Sequence, residues 1–188
     1  LLAAFSVFAQ ITVYPLIANF SSKQQPVKDV TVHNADKVNN AYVRVTPYLI
    51  SNPGSKHEKR VLFHDPGKLG LLVSPNKFII PPDGKQIVRI MNLKTDGKKD
   101  RVYSVVIGPV PTKLLSKQMV KIKGTKSKMG IHIIVTYGVL ALVRPNNPHP
   151  HLVIKRNGKE LTIRNDGNTY VKFSDGKQCA NGKCVKLS

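Results

Sequence analysis

Acidic residues are scarce in this chain. Ten Asp and Glu stand against thirty Lys and Arg in 188 residues, a formal charge of +20. A balance so far to one side favours acidic partners: nucleic acid, anionic lipid or an acidic protein surface. Nearly all of the acids stand in turns beside Gly, Pro, Asn or Lys, where Asp serves local backbone hydrogen bonding. Tryptophan is absent, and six Phe and six Tyr are the whole aromatic content. Exposed aromatics interleaved with basic residues are therefore missing, as are zinc and helix-turn-helix patterns, so no specific nucleic-acid binding is expected. The lysines are spread over turns and alternate strand positions, as on a solvated face. No nucleophile elbow, zinc-protease motif or phosphate loop is present, so neither an enzyme nor a cofactor is expected. His149 and His151 stand two apart but lack a third ligand, so no metal is expected either. The apolar stretch Leu1–Ala9 is too short to span a bilayer, and no stable membrane insertion is expected.

That same stretch, Leu-Leu-Ala-Ala-Phe-Ser-Val-Phe-Ala, reads as the tail of a signal peptide, with short residues before a cut after Ala9. The pattern changes from wholly apolar to alternating at Gln10. Only two cysteines are present, Cys179 and Cys184, on either side of Ala-Asn-Gly-Lys. Asn-Gly is a tight-turn signal, and residues facing each other across such a turn lie within disulfide reach. A disulfide and a signal remnant agree in placing the protein outside the cytoplasm.

At 41% hydrophobic residues the chain can bury a core. Its pattern is strand after strand, cut by Pro and Gly. Alternation predicts strands at Ile11–Tyr14, Val27–His33, Ala41–Thr46, Leu69–Ser74, Lys77–Ile80, Gln86–Met91 and Arg101–Val106. Pro47 ends the third of these, and Gly108-Pro109 the last. Thr112–Lys128 carries six lysines and no acid, and reads as a loop. Ile131–Pro145 is the longest apolar segment. Its first half sets Ile131, Ile133, Val135 and Tyr137 on one face and His132, Ile134 and Thr136 on the other. A long strand with such a row of aliphatic knobs suits addition to another chain's sheet, with Ile134 facing its own core. The linker at residues 146–151 is Pro-rich. Beyond it, Leu152–Lys155, Glu160–Arg164 and Thr169–Phe173 read as strands joined by Asn157-Gly158 and Asp166-Gly167 turns, followed by the Cys hairpin. The fold expected is all-β: two Ig-like sandwiches at an angle, the second incomplete. The expected divisions are a signal remnant at 1–9, an N-terminal domain at 10–145, a linker at 146–151 and a partial C-terminal domain at 152–188.

Leu71-Leu72-Val73-Ser74-Pro75, Phe78-Ile79-Ile80-Pro81-Pro82 and Gln86-Ile87-Val88-Arg89-Ile90 resemble consecutive strands of periplasmic pilus-assembly chaperones of the chaperone–usher pathway. Asp100–Val105 resembles the next strand, and Ile131–Pro145 the donor strand with its closing Arg-Pro. Ile11–Pro15, Tyr42–Val45 and the Cys179/Cys184 hairpin look most like the α-class chaperones, which serve colonisation-factor and cable-type pili.

The resemblance implies a function without chemistry. A chaperone of this kind lends a strand to a pilus subunit whose Ig-like fold lacks one. The knobs would be Ile131, Ile133, Val135 and Tyr137. It further implies a periplasmic location, pilus subunits and an outer-membrane usher as partners, and self-association through the donor strand in the free protein. Arg144 matches an arginine that ties the two domains together through an acid, and Asp100 occupies the acidic position. One departure stands out. The better-known members hold the subunit's terminal carboxylate with two bases, but here Leu140 occupies one position and Ile11–Leu16 has no base. Arg44, Lys155 and Arg164 remain as anchors that the sequence does not separate. The rival readings are a secreted Ig-like adhesion or binding module whose long strand is core, and a basic protein binding nucleic acid or anionic glycans by charge.

Overall fold

The computed structural model describes residues 11–21, 26–94, 97–110, 134–180 and 182–186. Its elements are β1 (Ile11–Tyr14), β2 (Ile17–Phe20), β3 (Val27–Asn34), β4 (Ala41–Ser51), β5 (Lys59–Val61), α1 (Pro66–Leu69), β6 (Leu71–Ser74), β7 (Lys77–Ile80), β8 (Lys85–Asn92), β9 (Arg101–Pro109), β10 (Tyr137–Val143), β11 (Leu152–Asn157), β12 (Glu160–Asn165), β13 (Lys177–Ala180) and β14 (Lys183–Lys186). One sheet runs β1-β3-β8-β6. The facing sheet runs β2-β10-β9-β4-β5, with β7 also on β4. The core between them is aliphatic: Val30 and Val32 from β3, Val88 and Ile90 from β8, Val43 and Val45 from β4, and Val139, Ala141 and Val143 from β10. The alternation seen in the sequence thus becomes the inner faces of a sandwich. Tyr103 is the largest fully buried side chain. Its hydroxyl donates to the Leu69 carbonyl at 3.1 Å, and burial pushes its pKa up.

The first strand serves both sheets. Ile11 and Val13 are buried from β1, Ala18 and Phe20 from β2. The parity of the buried positions flips at Pro15-Leu16, as the chain leaves β3 and joins β10 in parallel. The sequence showed only the first of these two segments as a strand, because the break hides the second alternation.

Several boundaries differ from expectation. β4 does not stop at Pro47 but runs to Ser51. On one side it pairs with β9 from Val43 to Ile50. On the other, β7 covers Ala41–Arg44 and β5 covers Leu49–Ser51. The Val45 amide points to the β7 side, donating to the Asn76 carbonyl. Pro47 has the same parity, so its missing N–H falls in the gap between β7 and β5 and no ladder bond is lost. β9 likewise runs through Gly108 to Pro109. A Cβ at Gly108 would lie 2.8 Å from Thr136 Oγ1, so glycine is what lets the segment before β10 cross it. Thr169–Phe173 is not a strand. Asn157 pairs with Glu160, which makes Gly158-Lys159 the turn. The Lys-rich loop at 112–128 lies outside the described residues.

Asn34 closes the end of β3. It is fully buried, and its amide donates to the carbonyls of Asn39, Ile80 and Pro81 at 2.8, 3.2 and 3.0 Å. Asn34→Ala removes all three of these bonds at once, though the Pro81 carbonyl keeps the Gly84 amide. A loss of about 2–3 kcal/mol is expected, read as a lower urea midpoint at unchanged slope. Nearby, the Asp36 carboxylate accepts from the amides of Val38 and Asn39, which lowers its pKa. A depressed carboxylate contributes stability above its unfolded pKa, and that contribution is lost as pH falls through the folded value. Thermal melts from neutral to acid pH should therefore show the Asp36→Asn deficit shrinking on acidification.

Candidate functional site

The long apolar segment forms a strand only from Tyr137 to Val143. On one side β10 pairs with β9 along its whole length. On the other, β2 covers only Leu140–Val143, beginning with the Leu140 amide on the Leu16 carbonyl. Among the described residues, nothing pairs with Tyr137–Val139 on that side. The strand thus enters the sheet with one side open, where Gly138 turns its backbone N–H and C=O away from β9.

The side chains along this edge fall in one register. Val139, Ala141 and Val143 face the core, and Tyr137 packs against it from a half-buried position. Val135 continues the same parity and is half-buried. Ile131 and Ile133 lie outside the described residues. Ile134 was expected to face the protein's own core. It is instead 50% exposed, because the core-facing parity belongs to the odd-numbered positions.

The even-numbered positions make the sheet's outer face. Register sets Ile17, Leu140, Ser104 and Tyr48 in one row, and Asn19, Leu142, Val102 and Ile50 in the next. Leu140, the position of an expected base, is thus part of an apolar surface. Arg44 is exposed on this face, paired in register with Gly108 on one side and Lys77 on the other. Thr136 reaches over Gly108. Lys77, Arg44 and Gly108 thus lie in one row of this face that ends at Thr136, with β9 between Arg44 and the strand that carries the open edge. Sequence reading passed over Lys77, whose only signal was its register against Arg44.

Lys155 and Arg164 are elsewhere. Lys155 opposes Thr162 and Arg164 opposes Val153, so the two are diagonal neighbours on one face of the β11–β12 hairpin. Arg164 is engaged by Asp166, with contacts of 2.7 and 2.8 Å. That partner raises its pKa. The opposite face of the hairpin carries exposed Ile154, Leu161 and Ile163.

Asp100 and Arg144 form no ion pair with each other. Both meet Tyr170 instead. The Asp100 carboxylate accepts from the buried Thr169 hydroxyl at 3.0 Å and from the Tyr170 amide. The Arg144 guanidinium lies over the Tyr170 ring, 4.4 Å from its centroid. Cys179 and Cys184 face each other across β13 and β14 and are joined as a disulfide.

No protein-family model matches the chain. It is 28% identical to a CS1 fimbrial protein of Escherichia coli, over 99% of this chain and 77% of that protein. Among solved structures, a chain of the chaperone–tip adhesin complex of CFA/I fimbriae biogenesis is 25% identical with a TM-score of 0.67, covering 96% of this chain and 79% of the other. The class 5 fimbriae chaperone CfaA is 24% identical with a TM-score of 0.69, over 95% and 79%. Similarity along nearly the whole chain and a shared fold agree with the family that the sequence resembles, the pilus-assembly chaperones.

Proposed function

We propose that this protein is a periplasmic chaperone that captures, stabilises and delivers pilus subunits by lending them the strand leading into β10. The observation that carries this reading is the open edge at Tyr137–Val139, whose side chains run in register with the protein's own core. A subunit strand added there gains backbone hydrogen bonds from the edge. Aliphatic knobs of the same parity, Ile131, Ile133 and Val135 with Tyr137, would then enter the subunit's groove. Each fully buried side chain stabilises by roughly 1.5–3 kcal/mol. The subunit's core would continue the row Val139, Ala141 and Val143.

Arg44 is the anchor we favour for the subunit's terminal carboxylate. It stands exposed on the outer face of the same sheet, in the row that crosses Gly108 to Thr136, with Lys77 next to it. Lys155 is the second choice, and Arg164 is already held by Asp166. The outer-membrane usher would receive the loaded complex, and the free protein would self-associate through the same edge. The functional division is a sandwich through Pro145 that captures and, after the 146–151 linker, a second domain from residue 152 onward.

Co-expression in periplasm with the subunits of a colonisation-factor pilus tests this. One dominant partner should co-purify, an Ig-like subunit that aggregates when expressed alone, and it should stay bound in salt. Binding that collapses steeply with salt would point to a charge-driven polyanion binder. Binding of a host or matrix ligand with no subunit would favour the adhesion module.

A further inference from the structure

We propose that the loop Asp166–Tyr170 is the joint that fixes the angle between the two domains, with Asn168 as its hub and Tyr170 as its positioning residue. The loop is tied to three separate segments. The Asn168 side-chain amide donates to the Lys98 carbonyl at 3.1 Å and to the Asn147 carbonyl at 2.9 Å. Its side-chain oxygen accepts from the His149 amide at 2.6 Å. Its own amide donates to the His149 carbonyl, and its carbonyl accepts from the Asp100 amide. One residue thereby joins the sandwich, the linker and the second domain.

Its neighbours extend the attachment. A Cβ at Gly167 would lie 2.2 Å from the His149 carbonyl oxygen and 2.6 Å from the His151 nitrogen, so only glycine lets the loop and the linker come together. Tyr170 receives the Arg144 guanidinium on its ring. Its hydroxyl stands 3.5 Å from Asn19 Oδ1, and its amide donates to Asp100. Asn19 lies on β2, Asp100 immediately precedes β9, and Arg144 immediately follows β10. These three strands are adjacent, in the order β2-β10-β9. The loop thus grips the base of the strand whose other end is open. Small interfaces within a chain leave domains free to move unless something holds them. Here a hydrogen-bonded hub, rather than apolar area, does the holding. The consequence for subunit capture rests on the chaperone reading, but the joint itself does not.

The test uses the protein alone. Spin labels on cysteines introduced at exposed Lys85, on β8, and Lys159, in the β11–β12 turn, report the distance between domains, with the native disulfide left oxidised. The parent should give one narrow distance peak. Asn168→Ala and Tyr170→Ala should each broaden it and shift it. Tyr170→Phe keeps the ring under Arg144 and should restore the narrow peak. Asn168→Asp keeps the acceptor for His149 but loses the two amide-donated bonds, and should broaden the peak without unfolding either domain. Amide exchange on β9 and β12 monitors folding in every variant. A peak that stays narrow in the Asn168→Ala, Tyr170→Ala double variant overturns the proposal, as does a broad distribution already present in the parent. Subunit co-purification is measured separately. A joint that fails this test with capture intact removes the joint alone. Broadening in the variants, together with a parent protein that captures no subunit, removes the chaperone reading alone.

Discussion

Val135→Asp is expected to leave the protein folded and to abolish subunit capture, whereas Val139→Asp is expected to unfold it. The two positions have the same parity, four residues apart on one segment. Val139 is fully buried between the sheets. A carboxylate there has no partner, and the cost should exceed about 4 kcal/mol, enough to remove most of a domain's stability. Val135 lies beyond the end of β10 and is only half-buried, so Asp there should cost about 1 kcal/mol or less. In a subunit's groove the same charge would be stranded in apolar surroundings. Paired thermal melts and subunit co-purification decide the matter. If Val135→Asp lowers the midpoint as far as Val139→Asp, the segment is ordinary core and the adhesion module regains ground.

Asp100→Ala should be the most damaging change at the domain boundary. It removes the acceptor of the buried Thr169 hydroxyl and of the Tyr170 amide together. Leaving both without a partner should cost about 2–4 kcal/mol. Arg144→Ala removes a stacked cation, worth about 0.5–2 kcal/mol, so its thermal midpoint should fall less. A direct ion pair would instead make the two deficits similar. Midpoints for both variants, and for Asp100→Asn, which keeps one acceptor, separate the two arrangements. Equal losses from Asp100→Ala and Arg144→Ala would contradict the geometry described above.

Most of the sandwich was legible because its strands alternate. Val30/Val32, Val43/Val45 and Val88/Ile90 each announce a half-buried strand, and each is one. The misses have local causes. Pro47 reads as a stop in isolation, and only the vacancy between two partner strands makes it harmless. β5, Lys59–Val61, is too short and polar to carry a pattern. Thr169–Phe173 has strand composition, but Asp100, which takes the Tyr170 amide, and Asn165, which donates to the Thr169 carbonyl, draw its backbone into a loop. The site was half legible. Val135 and Tyr137 share a face, as their alternation implies, but that face continues the protein's own core, whereas the role given to Ile134 assumed that the opposite face was core. The meeting of Asp100 and Arg144 on Tyr170 could not be read at all, because no sequence signal tells an acid that holds a backbone from one that pairs with a guanidinium.

The pairing of β2 with β10 sets an order of events. These partners are roughly 120 residues apart, and contacts at such separation form late because loop closure precedes any gain from them. Ala18 and Phe20 have no place in their sheet until Leu140–Val143 has emerged from whatever machinery delivers the chain. A nascent chain that stops short of β10 is therefore unfinished at both ends of its sequence at once. The strand that completes the protein's own first domain is also the strand proposed to complete its client, so maturation of the chaperone and readiness to act should arrive in the same step.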